Sequence, residues 1–170
     1  MTPEDIQDSC PGFEQQIVYM NTMYELPVNF TPTLDVGEPV AQRLRKFKLV
    51  LEKEIAEIDD IILKAEKGDM AQEGAASEVE VLADIADVTT DLKVYITSEM
   101  VKFGLPIDEC EQIVMWSNFT KLNNDGQPLK DPETGKFLKG PNFMPPEPRL
   151  QEMIREKIEE FNFDYGQDED

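Results

Sequence analysis

Apolar residues along this chain recur mostly at intervals of three and four, the spacing of one helix face. Phe13, Ile17, Met20 and Tyr24 predict a short helix over Phe13 to Glu25, stopped by Leu26-Pro27. Residues 27–40, with Pro27, Pro32, Gly37 and Pro39, predict an irregular connector. The clearest pattern covers 41–67, where Leu44, Phe47, Leu51, Ile55, Ile58, Ile62 and Ala65 recur and Gly68 supplies a stop. Ser77-x-x-Glu80 has capping-box spacing and opens a second long helix over about 77–103. Val81, Ile85, Val88, Leu92 and Ile96 line its apolar side, and Gly104-Leu105-Pro106 ends it. Asp108-x-x-Glu111, with Ile107 as a staple, predicts a further helix to about Leu122. Leu150, Met153, Ile154, Ile158 and Phe161 predict an amphipathic helix over 149–163.

Between 123 and 148 the turn signals Asn124-Asp125-Gly126, Pro132-Glu133-Thr134-Gly135, Gly140-Pro141 and Pro145-Pro146 predict a long ordered loop or small ribbon. Strand signals are weak and no internal repeat is present. The expected class is all-α, a helical bundle of four to five helices with a long ordered loop before the C-terminal helix. At 170 residues a single domain is expected: 1–148, with 149–170 adding a helix and a solvated acidic tail, Gln167-Asp168-Glu169-Asp170.

Composition narrows the chemistry. The chain has 16 Lys+Arg against 36 Asp+Glu, a formal charge of −20. That charge disfavours a nucleic-acid backbone as partner and suits divalent cations. No apolar run approaches the ~18 residues of a membrane span. The start, Met1-Thr2-Pro3-Glu4-Asp5, lacks signal-peptide character, so cytoplasm is the expected compartment. With no histidine, Ser-His-Asp and Cys-His nucleophiles, His-ligated zinc and imidazole acid–base catalysis are excluded. Cys10 and Cys110 form no CxxC motif. Catalysis would rest on carboxylates, lysines, hydroxyls or a hard metal.

The informative acids stand on the wrong face. With about 100° per residue, Phe47, Ile58 and Ala65 fall within about 40° of Glu54, and Val50 and Ile61 within about 40° on its other side. Glu54 therefore sits amid the apolar stripe, with Glu57 at its edge. A lone ionised carboxylate buried there costs several kcal/mol, and a bound cation removes that cost. Asp84, Asp87 and Asp91 project within an arc of about 60°, bordering Val81, Val88, Leu92 and Tyr95. Such like-charge neighbours weaken a helix by ~0.2–0.5 kcal/mol per pair. In an antiparallel pair the two sets meet, and five oxygen donors suit Mg²⁺ or Mn²⁺. Most other acids, such as Glu52, Asp59, Asp60, Glu66, Glu78 and Glu80, read as solvated surface.

The basic counterpart lies in 121–145, where Lys121, Lys130, Lys136 and Lys139 outnumber Asp125, Asp131 and Glu133. Lys121 shares a helix face with Cys110, Val114 and Asn118, which suits either a phosphate contact or a snorkelling side chain. Trp116, Phe119 and Phe143 fit base stacking or a core equally well.

Several of these segments are familiar together. Lys53-Glu54-Ile55-Ala56-Glu57 followed by Asp84-Ile85-Ala86-Asp87-Val88 resembles the ExxE…ExxD signature of the all-α nucleoside triphosphate pyrophosphohydrolases, the MazG-like and phosphoribosyl-ATP pyrophosphohydrolase-like superfamily. Asp91 looks like the extra aspartate of the dimeric dUTPase-like branch. Phe103-Gly104-Leu105-Pro106 fits its helix ending, and Ser117-Asn118-Phe119-Thr120-Lys121-Leu122 resembles an SNxSK element. Gly135-Lys136-Phe137-Leu138-Lys139-Gly140-Pro141-Asn142-Phe143 is similar to a GKxxKGPNY/F loop, and Tyr19 to Leu26 to the short first helix with its Leu-Pro turn. Lys53, where many relatives carry Glu, and Asp84, in place of Glu, depart from the pattern.

The resemblance implies an enzyme that hydrolyses a nucleoside triphosphate, dUTP or another pyrimidine deoxynucleotide first, to the monophosphate and pyrophosphate. It implies Mg²⁺, with Mn²⁺ as a substitute, on Glu54, Glu57, Asp84 and Asp87. Asp91 acts as a ligand or as the base that orients water. Glu54 and Asp91 are the catalytic candidates, and Asn118, Lys121, Lys136 and Lys139 hold the phosphates. It also implies a homodimer or homotetramer, with no nucleic-acid or membrane partner. Two rivals stand beside it: a non-catalytic acidic protein imitating nucleic acid, with carboxylates spread over solvent faces, and a degenerate relative that binds nucleotide without turnover.

Overall fold

A computed structural model describes residues 8–165. The expected acidic tail and the first five residues lie outside that range. Among the described residues there are five helices and no strand, so the chain is all-α as its periodicity predicts. We number them α1 (Phe13–Met23), α2 (Val40–Asp69), α3 (Glu78–Lys102), α4 (Ile107–Phe119) and α5 (Glu147–Tyr165). No helix of the described residues is long and apolar enough to cross a membrane.

The chain divides into two compact units. The first contains the described residues up to Asn29 together with Thr33–Gly104, and so α1, α2 and α3. The second contains Phe30–Pro32 and the described residues from Leu105, and so α4 and α5.

In the first unit α3 is the hub, packed against both α2 and α1. Its start is the predicted capping box: Ser77 Oγ accepts from the Glu80 amide, and the Glu80 carboxylate accepts from the Ser77 amide at 2.7 Å. Its end is held by the connector. The Asn29 amide donates to the Val101 carbonyl, Asn29 Nδ2 to the Lys102 carbonyl at 2.7 Å, and the Thr33 amide to the Phe103 carbonyl. These bonds satisfy carbonyls that a helix C-terminus leaves without partners. The proline-rich connector is thus ordered by what it caps, and Val36 within it is buried. Gly104, at φ 62°, takes the left-handed step after the helix. Asn21 of α1 is fully buried against α3, where its Nδ2 donates to the Ser98 carbonyl and its Oδ1 accepts from Ser98 Oγ at 2.7 Å.

Two local expectations are corrected. The Asp108-x-x-Glu111 box does not cap α4, because Pro106 occupies the N-cap and Ile107 is already helical and buried. The helix starts two residues earlier than the box places it, and Asp108 and Glu109 instead lie in its first turn, facing the positive end of the helix dipole. Gly68 does not stop α2, which runs through it to a cap at Met70, with Ala71 at φ 50°.

In the second unit α4 and α5 run antiparallel. Glu109 pairs with Lys157 at 3.5 Å, and the Arg149 guanidinium stacks on the Trp116 ring 3.5 Å from its centroid. The long loop carries one antiparallel bridge, Lys130 to Phe137, the remnant of the predicted ribbon. It is fastened to the end of α4 by the Gly140 amide on the Lys121 carbonyl (2.9 Å) and by Ser117 Oγ on the Met144 carbonyl (2.7 Å). Only glycine fits at 140, since a Cβ there would overlap the Lys121 and Leu122 carbonyls. Gly140→Ala is expected to destabilise this unit by about 1–3 kcal/mol through backbone displacement. Urea unfolding followed by Trp116 fluorescence measures the loss.

Candidate metal centre

The helices α2 and α3 form an antiparallel pair, as the order of their cross-links requires. Arg43 meets Glu99 at one end, Glu54 meets Tyr95 in the middle, and Lys64 meets Asp84 at the other. The facing stripe of α2 is Phe47, Val50, Glu54, Ile58, Ile61 and Ala65, all half-buried. The facing stripe of α3 runs Val81, Asp84, Val88, Asp91 and Ser98. Leu44, Ile55 and Ile62 of α2, and Ile85 and Ile96 of α3, belong to a second, exposed stripe. The true interface is therefore poorer in large aliphatic residues than the periodicity suggests, and richer in carboxylates.

Glu54, Asp84 and Asp91 are half-buried, while Glu57 and Asp87 are exposed at the rim. Glu57, Asp84 and Asp87 line one cleft of about 300 Å³ together with Asp60, Ile61, Lys64 and Val88. Asp60, expected as plain surface, thus borders it. Glu54 lies close to the Tyr95 phenol. Burial pushes the Tyr95 pKa up, and the negative charges of Glu54 and Asp91 push it further. Lys64 donates to Asp84 Oδ2 at 2.5 Å, which holds its ammonium above the usual lysine range.

The structure thus brings three of the five predicted ligands to one cleft and gathers Glu54 and Asp91 around Tyr95. Among the described residues no three Asp, Glu or Cys groups converge closely enough to form a finished ion site. The donor chemistry nonetheless fits a hard divalent ion, being all oxygen and held on two rigid helices.

Asp91 and Tyr95 also border a second cleft of about 450 Å³, walled by Met20, Tyr24 and Phe47. Its floor is an ionic cluster that sequence reasoning missed. Glu99 is 5% exposed and accepts from Arg43 Nε at 2.8 Å and Lys102 Nζ at 3.2 Å. Burial lowers the Lys102 pKa, and the Glu99 charge opposes that shift. The signal was present: continuing the stripe 84, 88, 91, 95 at the same spacing reaches Ser98, Glu99 and Lys102.

The lysine-bearing residues belong to the second unit. Lys121 Nζ donates to Asn118 Oδ1 at 2.6 Å, and both line a groove of about 490 Å³ with Met115, Phe119, Leu122 and Phe137. Lys139 sits over the Phe143 ring at 4.5 Å, and Lys136 is exposed on the loop. Trp116 is covered by Arg149, while Phe119 is 65% exposed.

Glu99→Gln leaves the buried Lys102 ammonium facing a neutral amide, while Arg43 keeps only its longer contact with Glu38. It is expected to cost about 3–5 kcal/mol of stability, read as a fall in the guanidinium midpoint with an unchanged slope.

No family model matches the chain, and no curated protein matches it. Among solved structures, the chain is similar to a "putative NTP pyrophosphohydrolase" from Exiguobacterium sp. 255-15, with 24% identity over 88% of this chain and 98% of that one, at a TM-score of 0.47.

Proposed function

We propose that this chain is a metal-dependent hydrolase that splits a nucleoside triphosphate into monophosphate and pyrophosphate. The observation that carries the reading is the half-burial of Glu54, Asp84 and Asp91 on the facing stripes of α2 and α3. Carboxylates so placed are costly as structure and useful as ligands. A nucleic-acid mimic needs its charges on solvent faces, and these three are turned inward.

Glu54, Glu57, Asp84 and Asp87 would hold Mg²⁺, or Mn²⁺ in its place, with Asp91 as a further ligand or as the base that orients water. When bound, the ion supplies charge neutralisation for the phosphates and a water of lowered pKa. The Tyr95 phenol, close to the Glu54 carboxylate, would orient it by donating to it. Asn118, Lys121, Lys136 and Lys139 are assigned to phosphate oxygens by the motif resemblance. The aromatic-walled cleft beside Asp91 is large enough for a nucleoside, and dUTP or another pyrimidine deoxynucleotide is the first substrate to test.

We also propose a homodimer or homotetramer. α2 contains no fully buried residue in its 30, and Ile55 (53%) and Ile62 (48%) stay exposed on it. A second copy would cover such a stripe. Light scattering is expected to give at least twice the 19.4 kDa chain mass.

Pyrophosphate release measured over all NTPs and dNTPs is expected to require Mg²⁺ and to favour a pyrimidine deoxynucleotide. Glu54→Gln is expected to lower turnover by about 100-fold or more, the scale of losing one electrostatic stabiliser, while circular dichroism stays unchanged. Equal turnover with and without Mg²⁺, or in the variant, overturns the reading.

A further inference from the structure

The cleft lined by Glu57, Asp60, Asp84 and Asp87 already contains a cation of the chain itself. Lys64 projects from α2 one turn beyond Asp60, and its ammonium reaches across to Asp84 on α3. Four carboxylates and one ammonium leave the cleft strongly negative, so the lysine relieves the repulsion without ending it. The pair is only partly shielded, with side chains 49% and 33% exposed, so water can replace either partner at little cost. A divalent ion at the same oxygen carries twice the charge and takes several oxygens at once, whereas the ammonium holds one.

We propose that Lys64 is a built-in counter-ion that competes with the divalent metal for Asp84. It neutralises Asp84 while the cleft holds no metal, and it must leave that oxygen for the metal to bind. Free metal therefore binds against a resident cation, and binding is weakened by the exchange. A metal that arrives with phosphate meets a different balance, because the displaced ammonium gains a phosphate oxygen in place of the carboxylate. Lys64 thus biases the cleft against the bare ion and toward the metal–phosphate complex. This inference rests on the metal-dependent reading above, and it concerns the order of occupancy rather than the reaction.

The test is Mn²⁺ binding followed by electron paramagnetic resonance, with Mn²⁺ alone and then with inorganic pyrophosphate added. The wild type, Lys64→Met and Lys64→Arg are compared, with circular dichroism as the check on folding. Lys64→Met is expected to bind Mn²⁺ alone about tenfold more tightly than wild type and to gain less from pyrophosphate. Lys64→Arg, which keeps the charge, is expected to stay near wild type. Equal or weaker Mn²⁺ binding by Lys64→Met overturns the counter-ion role and leaves the metal reading standing. Absence of Mn²⁺ binding by wild type and both variants, with and without pyrophosphate, overturns both.

Discussion

Two helices that pack through carboxylates must find positive charge or hydrogen-bond donors for them, and this requirement organises the first unit. At one end of the α2–α3 pair, Arg43 and Lys102 both serve Glu99. At the other, Lys64 serves Asp84. In the middle, the partner of Glu54 is the neutral phenol of Tyr95. The ends carry the chain's own cations, one of them deeply buried, while the middle has a phenol that adds no charge. Along one interface the same residue type therefore sits in different electrostatic surroundings according to what faces it.

The buried cluster at Glu99 shows why the gradient matters. Burial pushes the Lys102 pKa down, and the Glu99 carboxylate beside it, helped by the charge of Glu38, opposes that shift. Glu99 in turn is bound by two donors and lies in a site with little solvent. Such a group is fixed in place and poorly suited to exchange ligands. Asp84 is one-third exposed with a single, half-exposed partner, which is the condition for exchange.

Much of this was legible in the sequence. Helical periodicity located all five helices to within a few residues, and angular arithmetic placed Glu54 on the facing stripe. What it misjudged follows from counting hydrophobic residues alone. Leu44, Ile55 and Ile62 are as periodic as Phe47 and Ile58, yet they fall on the exposed stripe because the packed one is defined by α3. Glu99, Arg43 and Lys102 were passed over because charged residues are expected outside, although the α3 stripe continues to Glu99 and Lys102 and pairing lets them stay inside. The Asp108 box failed for a local reason, since the helix already begins at Ile107 after Pro106 and leaves Asp108 inside its first turn. The roles of Lys136 and Lys139 were never in the periodicity, and they rest on the motif resemblance alone.

The second unit meets the same constraint with different means. Three of its cations lie over aromatic rings: Lys130 on Phe137, Lys139 on Phe143 and Arg149 on Trp116. A cation over a ring keeps its charge and most of its donors available, whereas a cation in a carboxylate pair spends them. In a chain of −20 net charge, that arrangement preserves positive charge where a lysine facing a glutamate would lose it. Fastening the loop through backbone atoms at Gly140 and Met144 has the same effect, because it orders the segment without recruiting its side chains. The carboxylates of α2 and α3 are short of cations and the loop's lysines are spared from anions.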